Sequence, residues 1–152
     1  MADQRKDLHA MPLTMHNPPE LYPPYPNYSH AVEVPAGARL LYIAGINGWD
    51  ENEQVPDAFE AQADLTWQHV GTLLAQAGMG YEDIVSVRTY ITHPDYQLAN
   101  REARRRALGD HRPALTVICC QMVQPAWKIE IDAVAAKTDS SPPWPAMPCP
   151  HA

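Results

Sequence analysis

The distribution of proline divides this chain into a central body and two ends. Of the sixteen prolines, six lie in residues 1–27, five in 142–150 and only five in 28–137. Proline fixes φ and lacks a backbone N–H, so dense proline excludes helices and central strands. We therefore expect a Pro-rich N-terminal arm over 1–27, one folded domain over 28–137 and a Pro-rich C-terminal tail over 138–152. The arm contains tyrosines, so we expect its last part to lie on the body.

Length, composition and charge narrow the class of protein. A chain of 152 residues that is 45% hydrophobic suits one domain with a true core. It has no run of eighteen apolar residues, so no membrane span is expected. Its first eight residues lack the apolar segment of a secretory signal, so we expect a cytoplasmic location. The net charge of −7 argues against a nucleic-acid partner.

Cysteine and histidine do not form a metal-binding pattern. The cysteines at 119, 120 and 149 make no CxxC motif, and the seven histidines are scattered along the chain. We therefore expect no metal site. Cys119 and Cys120 are neighbours on a predicted strand, so their side chains should point to opposite faces.

Hydrophobic periodicity predicts seven regular elements in the body. Alternation and an apolar run on either side of a turn predict an opening hairpin, whose second strand ends at Gly45. Helical spacing and β-branched runs predict the remaining elements. The predicted ranges are strands 28–34 and 40–44, helix 57–77, strand 84–92, helix 95–108, and strands 114–121 and 127–136.

The order ββαβαββ predicts an α+β domain whose mixed sheet carries two helices on one face. The segments 40–44 and 117–122 are more apolar than a solvated sheet face should be, which favours an oligomer.

Four arginines, at 101, 104, 105 and 106, form a basic run within the second predicted helix. We interpret the run as a solvated helix face. The alternative is a patch that binds an anion or a nucleic acid.

Residues 28–136 resemble the Rid (YjgF-type) family of enamine/imine deaminases. The resemblance depends on the order and spacing of several landmarks rather than on one motif. These landmarks are Leu41–Gly45, Gln62–Gly78, Asp83–Val85, Asn100, Arg112–Ala114 and Lys128–Ala135. The resemblance implies a chorismate-mutase-like homotrimer with a barrel-like centre and three clefts between subunits. It implies no cofactor.

The resemblance also implies roles for particular residues. A tyrosine that lines the cleft corresponds to Tyr28, backbone groups after the second strand correspond to Ala44 and Gly45, and a glutamate that orients water corresponds to Glu130. The arginine that binds the substrate carboxylate in the deaminases corresponds to Leu115. Loss of a charged hydrogen bond costs about 1.5–3 kcal/mol, so efficient hydrolysis of 2-aminoacrylate is not expected.

Each candidate also has a purely structural alternative. Glu130 is either a cleft acid/base or part of a solvated strand face. Arg88 is either paired with Glu130 or Asp132, or a relocated anion contact, and Arg112 is expected to be solvated. Cys119 shares a strand face with Leu115 and Val117, so it is expected to contact the substrate with them, and it is interpreted as a buried small hydrophobic residue rather than a nucleophile. The further expected substrate contacts are Tyr90, Asn100, Val117 and Trp127; Trp127, like Trp49, could instead serve packing.

The sequence therefore predicts a divergent Rid-like enzyme. It would act on a small imine, enamine or enol by proton transfer or water addition in an inter-subunit cleft, within a specialised pathway. A non-catalytic small-molecule-binding or regulatory trimer is one alternative. A cofactor-free lyase or isomerase that uses the same cleft is another.

Overall fold

The computed structural model describes residues 12–138. The predicted C-terminal tail, apart from Thr138, and Cys149 lie outside this range. Short 3-10 turns at Tyr81–Asp83 and Pro94–Tyr96 precede β4 and α2. The elements are β1 (Thr14–His16), β2 (Ala31–Glu33), β3 (Arg39–Asn47), α1 (Phe59–Gln76), β4 (Ile84–Ile91), α2 (Gln97–Leu108), β5 (Ala114–Cys119) and β6 (Ile129–Lys137).

The main sheet has four strands in the order β3-β6-β4-β5. Strands β4 and β5 run parallel, because α2 crosses between them, and β6 pairs antiparallel with both β3 and β4. The sheet is therefore mixed, and both helices pack on it. The predicted α+β class is confirmed.

The predicted opening hairpin is wrong. Strand β2 pairs antiparallel with β1, so His16 lies opposite Ala31 and Thr14 lies opposite Glu33. Strand β3 pairs with β6 instead. Part of the Pro-rich arm is thus a strand, and the end of the arm contacts the body as expected: the Arg101 guanidinium of α2 lies 5.8 Å from the centroid of the Tyr25 ring.

Helix α1 buries one face through three- and four-residue spacing. After α1 ends, the chain turns at Gly78, whose φ of 68° lies in the left-handed region that favours glycine. No helix between residues 12 and 138 is long and apolar enough to cross a membrane. The buried residues of α1 are Phe59, Gln62, Ala63, Thr66, Trp67, Val70 and Leu74.

The two faces of the sheet differ in what covers them. Helix α1 packs against β3 and β6, and α2 packs beside α1. Ala103 and Leu108 of α2 share one core cluster with Val87 and Ile91 of β4, so α2 covers the β4–β5 side. The opposite face, which we call the open face, is covered by no other element within residues 12–138. Its exposed apolar side chains include Leu40, Tyr42 and Ile118.

Candidate functional site

Glu130 lies against Gly45 at an irregular point of the β3–β6 pair. Ile43 pairs with Ala133 and Ile46 pairs with Ile131, so Ala44 and Gly45 together oppose the single residue Asp132. This is a β-bulge, a feature that re-aims side chains and is common beside active sites. A Cβ on Gly45 would overlap the Glu130 carboxylate and approach its Cδ within 2.8 Å. Glycine at position 45 therefore makes room for the carboxylate.

The bulge corrects one expectation from the sequence. Gly45 was predicted to end the second strand, yet β3 continues to Asn47. The reason is that the bulge absorbs the extra residue and pairing resumes at Ile46. The Ala44–Gly45 backbone thus lies within an edge strand rather than in a loop.

Asn47 holds the Glu130 carboxylate. The two residues are cross-strand partners, and the Asn47 Nδ2 donates to Glu130 Oε2 at 3.2 Å and to the Ile129 carbonyl at 3.1 Å. Asn47 is buried and Glu130 is half-buried. One carboxylate oxygen is therefore fixed by a buried amide, a contact that the sequence alone did not predict.

Two tryptophans line a pocket between the end of β3 and α1, and Glu130 itself is not one of the residues that line it. Trp49 and Trp127 meet edge to face, with ring centroids 6.0 Å apart. His69 of α1 bonds through Nε2 to the Trp49 carbonyl at 2.7 Å. The pocket has a volume of about 530 Å³ and is also lined by Gly45 and Asn47, the two residues that contact Glu130. A small organic molecule would fit such a space.

Gln62 fixes the segment that leads into β6. It is fully buried, and its Nε2 donates to the Pro56 carbonyl at 2.7 Å and to the Ala126 carbonyl at 2.9 Å. Its Oε1 accepts from the Lys128 backbone N–H at 2.8 Å. Gln62 therefore positions the residues on both sides of Trp127. The helical spacing of apolar residues in α1 gave no sign of these partners.

Tyr28 lies at the other edge of the sheet. The next residue, Ser29, forms a bridge to Ala114 at the start of β5. The Tyr28 ring meets His30 edge to face, with centroids 5.7 Å apart. Glu130 is on β6, two strands from β5, and neighbouring strands are about 4.8 Å apart, so about 10 Å separates β6 from β5. One chain does not bring Tyr28 and Glu130 together.

Leu115 and Val117 belong to the helix-covered face. They pair in register with Val87 and Thr89, both of which are buried, and they pack against the core. Glu130 is on the open face, since it alternates with buried Ile129 and Ile131. Leu115 therefore does not share a sheet face with Glu130 of its own chain.

Arg88, Asp132 and Tyr90 form a polar group on the open face. Arg88 Nε lies 3.7 Å from Asp132 Oδ1, one of the two structural pairings expected. The Tyr90 hydroxyl donates to Asp132 Oδ2 at 2.9 Å. This hydrogen bond and, to a smaller extent, desolvation raise the pKa of Tyr90. Asp132 therefore holds both groups.

Two sequence-based interpretations need correction. Cys119 is exposed, not buried, because it ends an edge strand that the core does not cover at that point. Arg104 is buried, at 4% exposure, although the arginine run was interpreted as a solvated face. The signal was present in the spacing, since Asn100, Arg104 and Leu108 recur every four residues on the buried face of α2. Arg112 is exposed, as expected.

The candidate residues therefore form two groups that are apart on one sheet. Ala44 and Gly45 lie on the edge strand β3, Glu130 lies on the neighbouring β6, and Trp127 precedes β6. The other group, at the β5 edge, is Tyr28, Leu115 and Val117. Asn100 is fully buried on α2, which covers the β4–β5 side. Among residues 12–138, no three His, Cys, Asp or Glu side chains gather into a group that could hold a metal ion.

Comparison with known proteins gives a consistent family. The chain is similar to the mitochondrial protein mmf2 of Schizosaccharomyces pombe, at 27% identity over 113 residues that cover 72% of this chain and 87% of the relative. Its structure is similar to that of the Rid-family protein YyfB of Yersinia pestis, with a TM-score of 0.73, 31% identity, and coverage of 82% of this chain and 98% of that one.

A second solved structure shares the fold. RidA from the Antarctic bacterium Psychrobacter sp. matches with a TM-score of 0.61 at 24% identity, over 71% of this chain and 86% of that one. The family model described as endoribonuclease L-PSP matches residues 20–137, which is most of the chain. This chain therefore belongs to the Rid (YjgF-type) family.

Proposed function

We propose that this protein is a Rid-family enzyme that acts on a small imine, enamine or enol by proton transfer or water addition. Glu130 would exchange the proton or orient the water, and Tyr28 and the Gly45 backbone would contact the substrate. The observation that carries the proposal is the Glu130 carboxylate, which Asn47 holds against Gly45, and these two residues also line a pocket walled by two tryptophans. A positioned carboxylate next to a partly apolar pocket suits general acid–base catalysis.

The cleft would be completed by a second copy of the chain. Within one chain Glu130, on β6 next to the edge strand β3, is apart from Tyr28 at the β5 edge, so the β3 edge of one subunit would meet the β5 edge of another to unite them. Such a contact joins two different surfaces, and repeated copies close into a ring. The exposed Leu40, Tyr42 and Ile118 on the open face would pack at the centre of this ring. We propose a homotrimer.

The partner would be a small molecule rather than a nucleic acid. The arginine run of α2 offers little free positive charge, because Arg105 pairs with Glu102 at 3.1 Å and Arg106 pairs with Asp64 at 2.6 Å. Arg104 is buried. A phosphate-binding surface needs accessible cations, so this helix is poorly suited to a nucleic-acid backbone.

Leu115 would shape the choice of substrate. It places an apolar side chain, packed against the core, where deaminating relatives carry a cation. We therefore propose that 2-aminoacrylate is a poor substrate and that the protein serves a specialised pathway. A cytoplasmic location stays a prediction, tested by cell fractionation, since the relative mmf2 is named as mitochondrial.

A panel of imino acids and cyclic imines, assayed with wild type and Glu130→Gln, tests this function. We expect turnover of at least one imine by the wild type. Glu130→Gln should lower kcat by about a hundredfold or more with little change in KM, because general acid–base catalysis contributes about 10²–10⁴-fold. Equal rates for the two proteins would remove Glu130 from the mechanism. Ligand binding without any turnover would favour a non-catalytic trimer, and turnover without water uptake would favour a lyase or isomerase.

A further inference from the structure

The backbone around Trp49 is fixed by contacts within the chain. A Cβ on Gly48 would overlap the Gln62 carbonyl, so glycine lets the end of β3 pack directly against α1. On the other side of Trp49, one oxygen of the Asp50 carboxylate accepts two backbone N–H groups of its own loop, at 2.9 and 2.8 Å. His69 of α1 bonds the Trp49 carbonyl itself at 2.7 Å. The position of Trp49 is therefore set by three separate contacts.

Trp127 is positioned in a similar way. Gln62 bonds the backbone on both sides of it, at the Ala126 carbonyl and the Lys128 N–H. The Trp127 N–H donates to the Gln124 carbonyl at 3.1 Å. The two indole rings, whose planes are inclined by 62°, are thus a preformed pair. A ligand that binds against them does not have to order them first, which lowers the entropic cost of binding.

The pocket that the two indoles border is suited to a neutral ring. Most of its lining is apolar and includes Ile46 of β3 and Leu73 of α1. Among residues 12–138, neither a lysine nor an arginine lines it, so a carboxylate bound there would have no counter-ion. An aromatic ring gains burial of its area and an attraction to the neighbouring rings. The lining therefore favours a neutral aromatic ring over an anion.

The polar side chains of the pocket have used their hydrogen-bond donors within the chain. Asn47 Nδ2 donates to two acceptors on β6, at 3.1 and 3.2 Å. Thr72 donates its hydroxyl to a carbonyl one turn earlier in α1, at 3.0 Å. His69 Nε2 bonds the Trp49 carbonyl, which can only accept, so Nε2 carries the hydrogen and Nδ1 of the neutral ring is an acceptor. This Nδ1 has no hydrogen-bond partner within residues 12–138.

We propose that this pocket binds a neutral aromatic ring that carries an O–H or N–H group. The ring lies against Trp49 and Trp127, and its O–H or N–H donates to His69 Nδ1. Gly45 and Asn47 line the same pocket and also contact Glu130, so the pocket lies next to the groups that hold the carboxylate.

This inference rests on the proposed function and deepens it by naming the substrate class. The substrate is an imine, enamine or enol that is substituted with a hydroxyphenyl group or with an N–H heteroaromatic ring. His69 is then a residue that determines specificity, because it recognises the substituent and takes no part in the reaction.

Binding of three matched probes to the purified full chain tests the ring and the donor separately. The compound 4-ethylphenol has both, 4-ethylanisole has a methyl group in place of the hydroxyl hydrogen, and 4-ethylcyclohexanol has a saturated ring. NMR titration, followed at the indole N–H signals, gives the Kd values. We expect 4-ethylphenol to bind about two- to tenfold more tightly than either of the others. One net hydrogen bond and one aromatic contact each contribute about that factor.

Two variants assign these preferences to residues. His69→Leu should bind 4-ethylphenol and 4-ethylanisole equally, yet still prefer the aromatic to the saturated ring. Trp127→Leu should reduce the preference for the aromatic ring and still prefer 4-ethylphenol to 4-ethylanisole. His111→Leu is the matched control, because His111 Nε2 bonds the Ile84 carbonyl at 2.6 Å in the same way but lies outside the pocket. It should bind all three probes like the wild type.

Several results would overturn the inference. They are a wild type that binds the three probes equally or binds none, a His69→Leu variant that still prefers 4-ethylphenol to 4-ethylanisole, and an unchanged ring preference in Trp127→Leu. If His69→Leu does not fold, the nitrogen NMR signal of His69 Nδ1 in the wild type decides. It should shift on addition of 4-ethylphenol but not of 4-ethylanisole, and the absence of that shift would count equally against the inference.

This binding test and the catalytic test fail separately. If the wild type prefers 4-ethylphenol while Glu130→Gln turns over imines at the wild-type rate, the proposed chemistry is wrong and the ring site stands. If the wild type turns over imines but shows no preference among the probes, the role of Glu130 stands and the substrate is recognised elsewhere.

Discussion

Glu130 and Gly45 are in direct contact across a β-bulge, so that the carboxylate occupies the space where any other residue at position 45 would place its Cβ. Asn47, which lies on the same strand as Gly45 and is the cross-strand partner of Glu130, fixes one oxygen of the Glu130 carboxylate. The position of the Glu130 carboxylate is therefore set by the absence of a side chain at Gly45 and by the buried amide of Asn47.

Gly45→Ala should displace the Glu130 carboxylate. The new Cβ would overlap a flexible side chain, so we expect a fall in the free energy of unfolding of about 1 kcal/mol, at the low end for overpacking. The rate of imine turnover should fall by more than this small loss of stability would cause. Urea denaturation in the wild-type and Glu130→Ala backgrounds forms a double-mutant cycle. The loss of stability caused by Gly45→Ala should vanish in the Glu130→Ala background. An equal loss in both backgrounds would show that the contact between residues 45 and 130 is not its cause.

Asn47→Asp should change the pH dependence of turnover. The substitution replaces a donor, 3.2 Å from Glu130 Oε2, with a second carboxylate. Two adjacent carboxylates resist simultaneous ionisation, so the pH at which activity is lost on the acid side should rise. The rate–pH profile measures this shift. Asn52→Asp, in the exposed loop after β3, is the control and should leave the profile unchanged; a wild-type profile for Asn47→Asp would contradict the assigned role.

Gln62→Leu should loosen the segment that carries Trp127. Leucine leaves the Lys128 N–H and two carbonyls without their buried partner, so the free energy of unfolding should fall by at least about 2 kcal/mol. Urea denaturation measures the change. Gln68→Leu on the exposed side of α1 should cost less than about 0.5 kcal/mol. Similar costs at the two positions would show that the three hydrogen bonds do not stabilise the segment.

Tyr90 should make stability fall at alkaline pH. Its pKa is raised above 10.0, chiefly by the hydrogen bond to Asp132, so above pH 10 the unfolded chain releases a proton that the folded chain keeps. Folding stability must then decrease as pH rises through that range. Urea denaturation between pH 9 and 11 should show a steeper loss for wild type than for Tyr90→Phe. Tyr22→Phe, at a largely exposed tyrosine of the N-terminal arm, should behave like wild type, and parallel curves for all three proteins would contradict the linkage.

The sequence predicted the helices well and the strand pairing less well. The three- and four-residue spacing of α1 and the β-branched run of β4 are local patterns, and both elements formed within two residues of their predicted bounds. The partner of β2 was missed because Thr14–His16 is only three residues long and lies among prolines. Pairing depends on distant residues, which a local pattern does not contain.

The candidate site was predictable in composition but not in arrangement. Alternation along β6 gave the direction of Glu130, but the bulge that sets Gly45 beneath it depends on the register between two strands. The same limit applied to Leu115, whose face is set by pairing with Val87. The burial of Arg104 was missed because a run of charged residues usually indicates a solvent-exposed helix face. Its four-residue spacing from Asn100 and Leu108 was the signal that indicated burial.

Mixed oligomers of Glu130→Gln and Tyr28→Ala test the shared cleft most directly. The two variants, each lowering imine turnover at least tenfold by itself, are unfolded together, refolded at equal amounts and assayed. If each cleft takes Glu130 from one subunit and Tyr28 from its neighbour, random mixing restores about one quarter of the wild-type activity, because that fraction of clefts receives both native residues. Activity no higher than the average of the two separate variants would show that Glu130 and Tyr28 do not act across a subunit boundary, and would contradict the account.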